Sequence, residues 1–154
     1  IFNLEIGRQT DILTGLINRR GYENHLTTVQ DEVTVLFFDV DKFKDINDTH
    51  GHQYGDMCLT EVGTMLKDVY SKVGKCFRIG GDEFCVITKK RVSNIEEYNS
   101  ILFKKIEDKR IEDDKFPFIS VGYVHYDPQN NNIEDAIAEA DEMMYKYKII
   151  HRGR

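Results

Sequence analysis

Lys75-Cys-Phe-Arg-Ile-Gly-Gly-Asp-Glu-Phe-Cys-Val-Ile87 carries two β-leaning apolar runs, Cys76–Ile79 and Phe84–Ile87, on either side of Gly80-Gly81-Asp82-Glu83. The spacing predicts a hairpin: glycines can take φ > 0 in the turn and the flanks supply paired strands. Alternation sends Asp82 and Glu83 to opposite sides of the ribbon. A glycine turn lets a bulky anion approach the backbone, and either carboxylate can hold a cation against it. An ordinary surface hairpin with a polar tip has the same local signature, so a functional reading needs partners elsewhere in the chain. Cys76 and Cys85 are expected to face each other across this hairpin as packing residues.

Working outward, Val33-Thr-Val-Leu-Phe-Phe38 is a β-branched and aromatic run that fits a central strand covered on both faces. It ends in Asp39-Val40-Asp41. The spacing of Phe43 with Ile46 or Asn47 predicts a short helix stopped by Gly51. Tyr54–Lys72 reads as a longer helix with an apolar stripe of Cys58, Val62, Met65, Leu66 and Val69, and with Asp56 in its first turn. After the hairpin, Ser93-Asn-Ile-Glu96 is a capping-box pattern opening a helix to about Ile111. Phe116–Tyr126 reads as a strand with Gly122 inside it. Asn132 is expected to cap a last helix with Ile133, Ala136, Ile137, Ala140, Met143, Met144 and Tyr147 on one face, and with Lys146, Lys148 and Arg152 crowding its C-terminal end. Upstream, Ile1–Gln9 reads as the end of an N-terminal linker, and Tyr22–Val29 as a capping loop in preference to a helix. The order β-α-α-β-β-α-β-α around one core predicts an α/β (α+β) domain over residues 10–154 with a mixed central sheet wrapped by helices. If the first strand and the hairpin are neighbours, Asp39 and the Gly80–Glu83 turn share one sheet edge.

The 154 residues are 40% hydrophobic and 31% charged with two prolines, which fits one globular domain with a real core. A formal net charge of −6 disfavours a phosphate-coated polymer, so no nucleic acid is expected as partner. A small nucleotide carried with a divalent cation is compatible, because the metal offsets the acidic field locally. Cys58, Cys76 and Cys85 lack metal-ligand spacing and read as core residues of a reducing compartment. No apolar run approaches the roughly 20 residues of a membrane span, so this segment is expected to make no membrane contact and to be cytoplasmic. The start at Ile1 suggests a piece of something longer.

Asp39-Val40-Asp41 at a strand end resembles oxygen-ligand metal arrangements, but an EF-hand loop fails at Phe43 and Lys44. Mg²⁺ takes one or two carboxylates and fills its octahedron with phosphate and water oxygens, which Asp39 with Asp82 would satisfy; a solvated pair of loop carboxylates is the plainer alternative. Lys44 and Asn47 share a helix face, a cation for phosphates beside an amide able to read a base edge. His52 and Asp56 follow one turn apart, and Asp56 can accept from the N1–H and exocyclic amine of guanine. Taken singly, each of these is an ordinary cap or turn residue. There is no Walker A sequence, no dinucleotide glycine fingerprint and no nucleophile elbow.

Arg78-Ile-Gly80-Gly81-Asp82-Glu83-Phe84 resembles the signature of the GGDEF domains, the diguanylate cyclases of bacterial signalling. The resemblance continues in the stretch from Asp11 to Arg20, in Phe38–Asp48, in Gly51–Asp56, in Ser120-Val-Gly122 and in Ala140–Lys148, and so covers nearly the whole chain. It implies a palm-like fold that condenses two GTP into cyclic di-GMP with release of two pyrophosphates, across a homodimer driven by an N-terminal sensor, which would make the segment the cytosolic part of a longer, membrane-anchored or soluble, signalling protein. It further implies Asp39, Asp82 and the Val40 carbonyl as ligands of Mg²⁺, with Mn²⁺ as an alternative. Asp82 would accept the 3′-hydroxyl proton, and Glu83 would assist the metal site. Lys44, Lys148 and Arg152 would face phosphates; Asn47 and Asp56 would read guanine with His52 nearby; Gly80 and Gly81 would let the nucleotide lie on the turn. A catalytically silent GTP-binding module that regulates a neighbouring domain is the alternative. Two departures stand out. The family's product-inhibition motif, Arg-x-x-Asp, falls on Ser71-Lys-Val-Gly74 and is missing, and His151 stands where the closing basic motif usually has glycine.

Overall fold

The computed structural model describes residues 8–154; the linker expected over residues 1–9 lies, up to residue 7, outside the described residues. Its elements are α1 (Arg19–Leu26), β1 (Val33–Val40), α2 (Phe43–His50), α3 (His52–Tyr70), β2 (Gly74–Arg78), β3 (Glu83–Thr88), α4 (Ile95–Glu112), β4 (Ile119–Tyr126) and α5 (Ile133–Ile150). The sheet order is β2-β3-β1-β4 and every neighbouring pair runs antiparallel. Where a mixed sheet was expected, parallel pairing among the described residues is confined to the isolated Ile17–Phe77 bridge.

Every residue of β1 is buried, which is what its unbroken apolar run requires of a strand covered on both faces. Val33, Val35 and Phe37 pack with Tyr22 of α1 and with Ala136, Ala140 and Met144 of α5. Leu36, Phe38 and Val40 pack on the other face against α3 and α4, including Cys58, Val62, Leu66 and Leu102. Pairing of Phe77 with Cys85 and of Cys76 with Val86 puts the two hairpin cysteines on opposite faces, so they do not meet. A side chain at Gly122 would place Cβ 2.1 Å from the Met144 amide nitrogen and 2.3 Å from the Ala140 carbonyl oxygen. The missing Cβ, with the Ala140 and Met143–Met144 backbone opposite, lets α5 rest directly on β4.

Several local expectations change. The entrance segment expected to be a loop forms α1, because Asn18 caps it by accepting from the Gly21 amide at 3.0 Å and Tyr22 packs edge-on against Phe77. The capping box at Ser93 does not form: the helix begins at Ile95 after Asn94, whose side-chain amide donates instead to Glu97 Oε2 at 3.1 Å. The cap at Asn132 does form, accepting from the Asp135 amide at 2.8 Å. The α3 helix starts at His52, so Asp56 lies beyond its first turn. Met143 stands 46% exposed, off the buried stripe of α5.

Candidate functional site

Strand parity places the central carboxylate. Asp39 shares the face of Val33, Val35 and Phe37, so it points toward α5, at the last position but one of β1. Its partner across the ladder is Glu83 on β3, and the Val40 amide donates to the Asp82 carbonyl at 3.1 Å. The end of β1 and the hairpin turn are thereby locked together, as the sequence reading required. On α5, Ala136, Ala140 and Met144 are buried at four-residue spacing, and Lys148 is the next step along that stripe. Its ammonium therefore projects down onto the strand end and donates to Asp39 Oδ2 at 2.6 Å.

The acidic cluster is electrostatically loaded. Burial, opposed by the Lys148 hydrogen bond and reinforced by the Asp82 charge, pushes the Asp39 carboxyl up to about 6. Glu83 is also raised, by burial and then by Asp82 and Asp141. Burial pulls Lys148 down, but its bond to Asp39 and the charges of Asp39, Asp41 and Asp82 more than offset this and hold it above the usual lysine range. Asp41 is separately committed: it accepts from Ser120 Oγ at 2.6 Å and from Arg154 at 3.3 Å.

A hard divalent cation fits these donors. Asp39 Oδ1 is buried without a hydrogen-bond partner, Asp82 stands against it, and both are carboxylates. Among the described residues no three His, Cys, Asp or Glu side chains form a complete ligand set, so substrate and water oxygens would have to supply the rest, an arrangement Mg²⁺ tolerates.

The turn itself is braced from below. Arg78 donates to the Gly81 carbonyl at 2.8 and 3.3 Å, and to both oxygens of Asp11 at 3.1 and 3.2 Å. Arg19 donates to the Ile79 carbonyl at 3.2 Å. Contrary to the expectation of a left-handed turn, neither Gly80 nor Gly81 has positive φ. Room is what they provide: a Cβ at Gly80 would lie 2.9 Å from Glu83 Oε1, and one at Gly81 would meet nothing within 4 Å.

The remaining sequence candidates surround this centre without converging on it. Lys44 is solvent-exposed and paired with Asp48 at 3.0 Å. Asn47 is half-buried, its Oδ1 without a partner, against Gly55, where an added Cβ would fall 1.9 Å from that oxygen. His52 and Asp56 are exposed on the first two turns of α3. Arg152 is exposed and lines a cleft of about 250 Å³ with Asp41, Lys42, Tyr145, Lys148 and Arg154. Two contributors were not foreseen. Arg154 closes the cleft by binding Asp41 and the Ile119 carbonyl, and Arg78 with Asp11 ties the chain entrance to the turn. Arg78 and Asp11 both stand within the recognised motifs, so their pairing was open to inference; nothing in the sequence links Arg154 to Asp41.

The comparisons agree with this geometry. The family model described as "Diguanylate cyclase, GGDEF domain" matches residues 8–154. Diguanylate cyclase DgcP of Escherichia coli is 35% identical, covering 90% of this chain and 44% of that protein, and the probable diguanylate cyclase DgcJ of Escherichia coli is 34% identical over 90% and 29%. The chain spans less than half the length of these curated relatives. The coiled coil and GGDEF domain of DgcB from Caulobacter crescentus, solved with c-di-GMP, superposes with a TM-score of 0.87 at 22% identity, covering 99% of this chain and 87% of that one. The GGDEF domain of TpbB (YfiN) from Pseudomonas aeruginosa gives 0.74 at 26% identity, covering 90% and 88%. A glycine turn locked to an acidic strand end, matched by a family model along all the described residues, makes this chain a member of the GGDEF, or diguanylate cyclase, family.

Proposed function

We propose that the chain is the catalytic domain of a diguanylate cyclase, joining two GTP into cyclic di-GMP with release of two pyrophosphates. The observation that carries this reading is the meeting of Asp39, Asp82 and Lys148 at one sheet end, with Asp39 Oδ1 buried and unpaired. Asp39, Asp82 and the Val40 carbonyl would hold Mg²⁺ or Mn²⁺. Bound there, the ion would polarise the phosphates and the attacking 3′-hydroxyl.

The chain's own residues divide the remaining work. Asp82 takes up the hydroxyl proton at the tip of the turn, with Glu83 beside it keeping the local field negative. Gly80 and Gly81 leave the turn open for the nucleotide to lie on. Lys148, Lys44 and Arg152 oppose the phosphate charge, so that catalysis is chiefly positioning and electrostatics. Asn47, held against Gly55, and Asp56 read the guanine edge with His52 nearby. Because one copy binds one GTP in this scheme, a second copy of residues 10–154 must face it in the cytoplasm, brought there by an N-terminal sensor domain.

Incubation with GTP and Mg²⁺ at high protein concentration tests the proposal by pyrophosphate release and by chromatography for cyclic di-GMP. Asp82→Ala should abolish both while leaving the fold intact. GTP binding without turnover, even in an enforced dimer, would instead favour a silent regulatory module.

A further inference from the structure

The ammonium of Lys148 lies 2.6 Å from Asp39 Oδ2, with the lysine side chain 40% exposed and the aspartate 10%. It also lies within electrostatic reach of Asp41, Asp82 and Glu83. Arg154 is taken up by Asp41, and Arg19 lies on the Glu83 side of the cluster. Lys148 is therefore the cation paired with Asp39. We infer that Lys148 is a tethered counter-ion: it holds the divalent site closed, and cation entry and release of the lysine into the adjoining cleft are a single exchange. This rests on the assignment of Asp39 and Asp82 as the cation ligands.

A carboxylate as enclosed as Asp39 is costly to leave unpaired, so some positive charge must stand beside it whether or not a metal is present. A divalent ion and an ammonium cannot share one carboxylate closely without strong mutual repulsion, so the arrival of one weakens the hold of the other. The lysine has somewhere to go. It is a compact charge on a flexible four-carbon stem, and it already lines the cleft with Tyr145, His151 and Arg152. Residence on Asp39 and a place facing phosphates in the cleft would thus be two positions of one side chain, the choice between them set by the ion.

Mn²⁺ binding without nucleotide, measured by calorimetry, tests the exchange. If the closed pair is favoured about ten to one, Lys148→Met should bind Mn²⁺ about tenfold more tightly than the wild-type chain, since apparent affinity scales with the fraction of open sites. Lys146→Met, on the same helix but bound to Glu142, should leave the affinity unchanged and so controls for net charge. In the unmodified protein, the Lys148 ¹³Cε resonance should move to a solvent-averaged position as Mg²⁺ is added, a reading independent of how any variant folds. Equal Mn²⁺ affinity in Lys148→Met and wild type, with weaker binding in Asp82→Ala, would overturn the exchange and leave the ligand assignment standing. Asp82→Ala binding Mn²⁺ as well as wild type would overturn the ligand assignment, and the exchange with it.

Discussion

Asp39→Asn should stabilise the protein at neutral pH in the absence of divalent cations, although it removes an ion pair. The carboxyl is raised from 3.8 to about 6, first by burial, with Lys148 opposing the rise and Asp82 adding to it. A raised carboxyl binds its proton more tightly in the folded state. Its favourable contribution is therefore fully present below the unfolded value near 3.8 and is lost as pH rises through about 6. Above that, ionised Asp39 opposes folding by about 3 kcal/mol, the difference between the two values at about 1.4 kcal/mol per pH unit. At about pH 4.5 the same arithmetic leaves about 1 kcal/mol. Asn mimics the protonated carboxyl, and the half-exposed Lys148 can return to water. Urea unfolding of the wild-type and variant chains in chelator should therefore show Asp39→Asn gaining about 2 kcal/mol relative to wild type between about pH 4.5 and about pH 8. Titrating groups away from this cluster cancel in the difference. A variant less stable than wild type at pH 8, or a difference that does not change with pH, would refute the view that the cation-free site opposes folding.

Arg78→Lys should lose about 1–2 kcal/mol in urea unfolding, because a lysine cannot serve Asp11 and the Gly81 carbonyl together. Burial raises Asp11, but its bonds to Thr14 and the Arg78 charge outweigh that and hold it below 3.8, so this contribution should persist above that value and fade as pH falls through the lowered one. Gly122→Ala should lose stability at the upper end of about 1–3 kcal/mol, since the new methyl meets α5 backbone. Rebuilding the missing product-inhibition pair with Ser71→Arg and Gly74→Asp should not create a cyclic di-GMP site by calorimetry. A Cβ at residue 74 would lie 2.5 Å from the Ile87 carbonyl and 2.7 Å from Thr88 Cα, so the double variant should unfold earlier instead. Lys44→Ala should leave the melting temperature unchanged, its partner Asp48 being itself exposed, while lowering turnover in the GTP assay.

The strands that build the sheet were legible because their apolar runs admit little else: β1 has no polar alternation, and the hairpin has a glycine pair between two β-branched flanks. Its neighbours were harder to read. α1 is eight residues of weak propensity that hold together through an Asn18 cap and the burial of Tyr22 on Phe77, a contact made 55 positions along the chain. The capping box at Ser93 satisfies the sequence pattern, yet the chain enters α4 one residue later. At the site, Asp39 and the turn were correctly brought together from the strand order. What the sequence did not show was where the cations go. Lys148 reads locally as a basic residue complementing a helix end, and only the descent of α5 onto Gly122 reveals that its stripe ends on Asp39. Arg154, which grips Asp41, gives no local signal.

The end of β1 departs from ordinary folding rules at Asp39 and at Lys42. Asp39 stands opposite Glu83 across the ladder, takes the like charge of Asp82, and has one oxygen buried without a partner. The Val40 amide is spent on the hairpin turn and not on a neighbouring regular strand. The Asp41 carboxylate is held by a buried serine and by Arg154. Lys42 takes the left-handed conformation at φ 54°, at a cost of about 1–2 kcal/mol for a residue with a side chain. The preceding six residues show none of this; they are apolar or satisfied, and fully enclosed. Such a boundary between a consistent core and a strained strand end is what a site looks like when folding alone does not satisfy it. Of these departures, the unpaired Asp39 oxygen is the one that positive charge arriving with a phosphate ligand would satisfy, and it lies within the cluster of carboxylates. The physical irregularity of this one strand end thus points to the same residues as the family motif does, by an independent route.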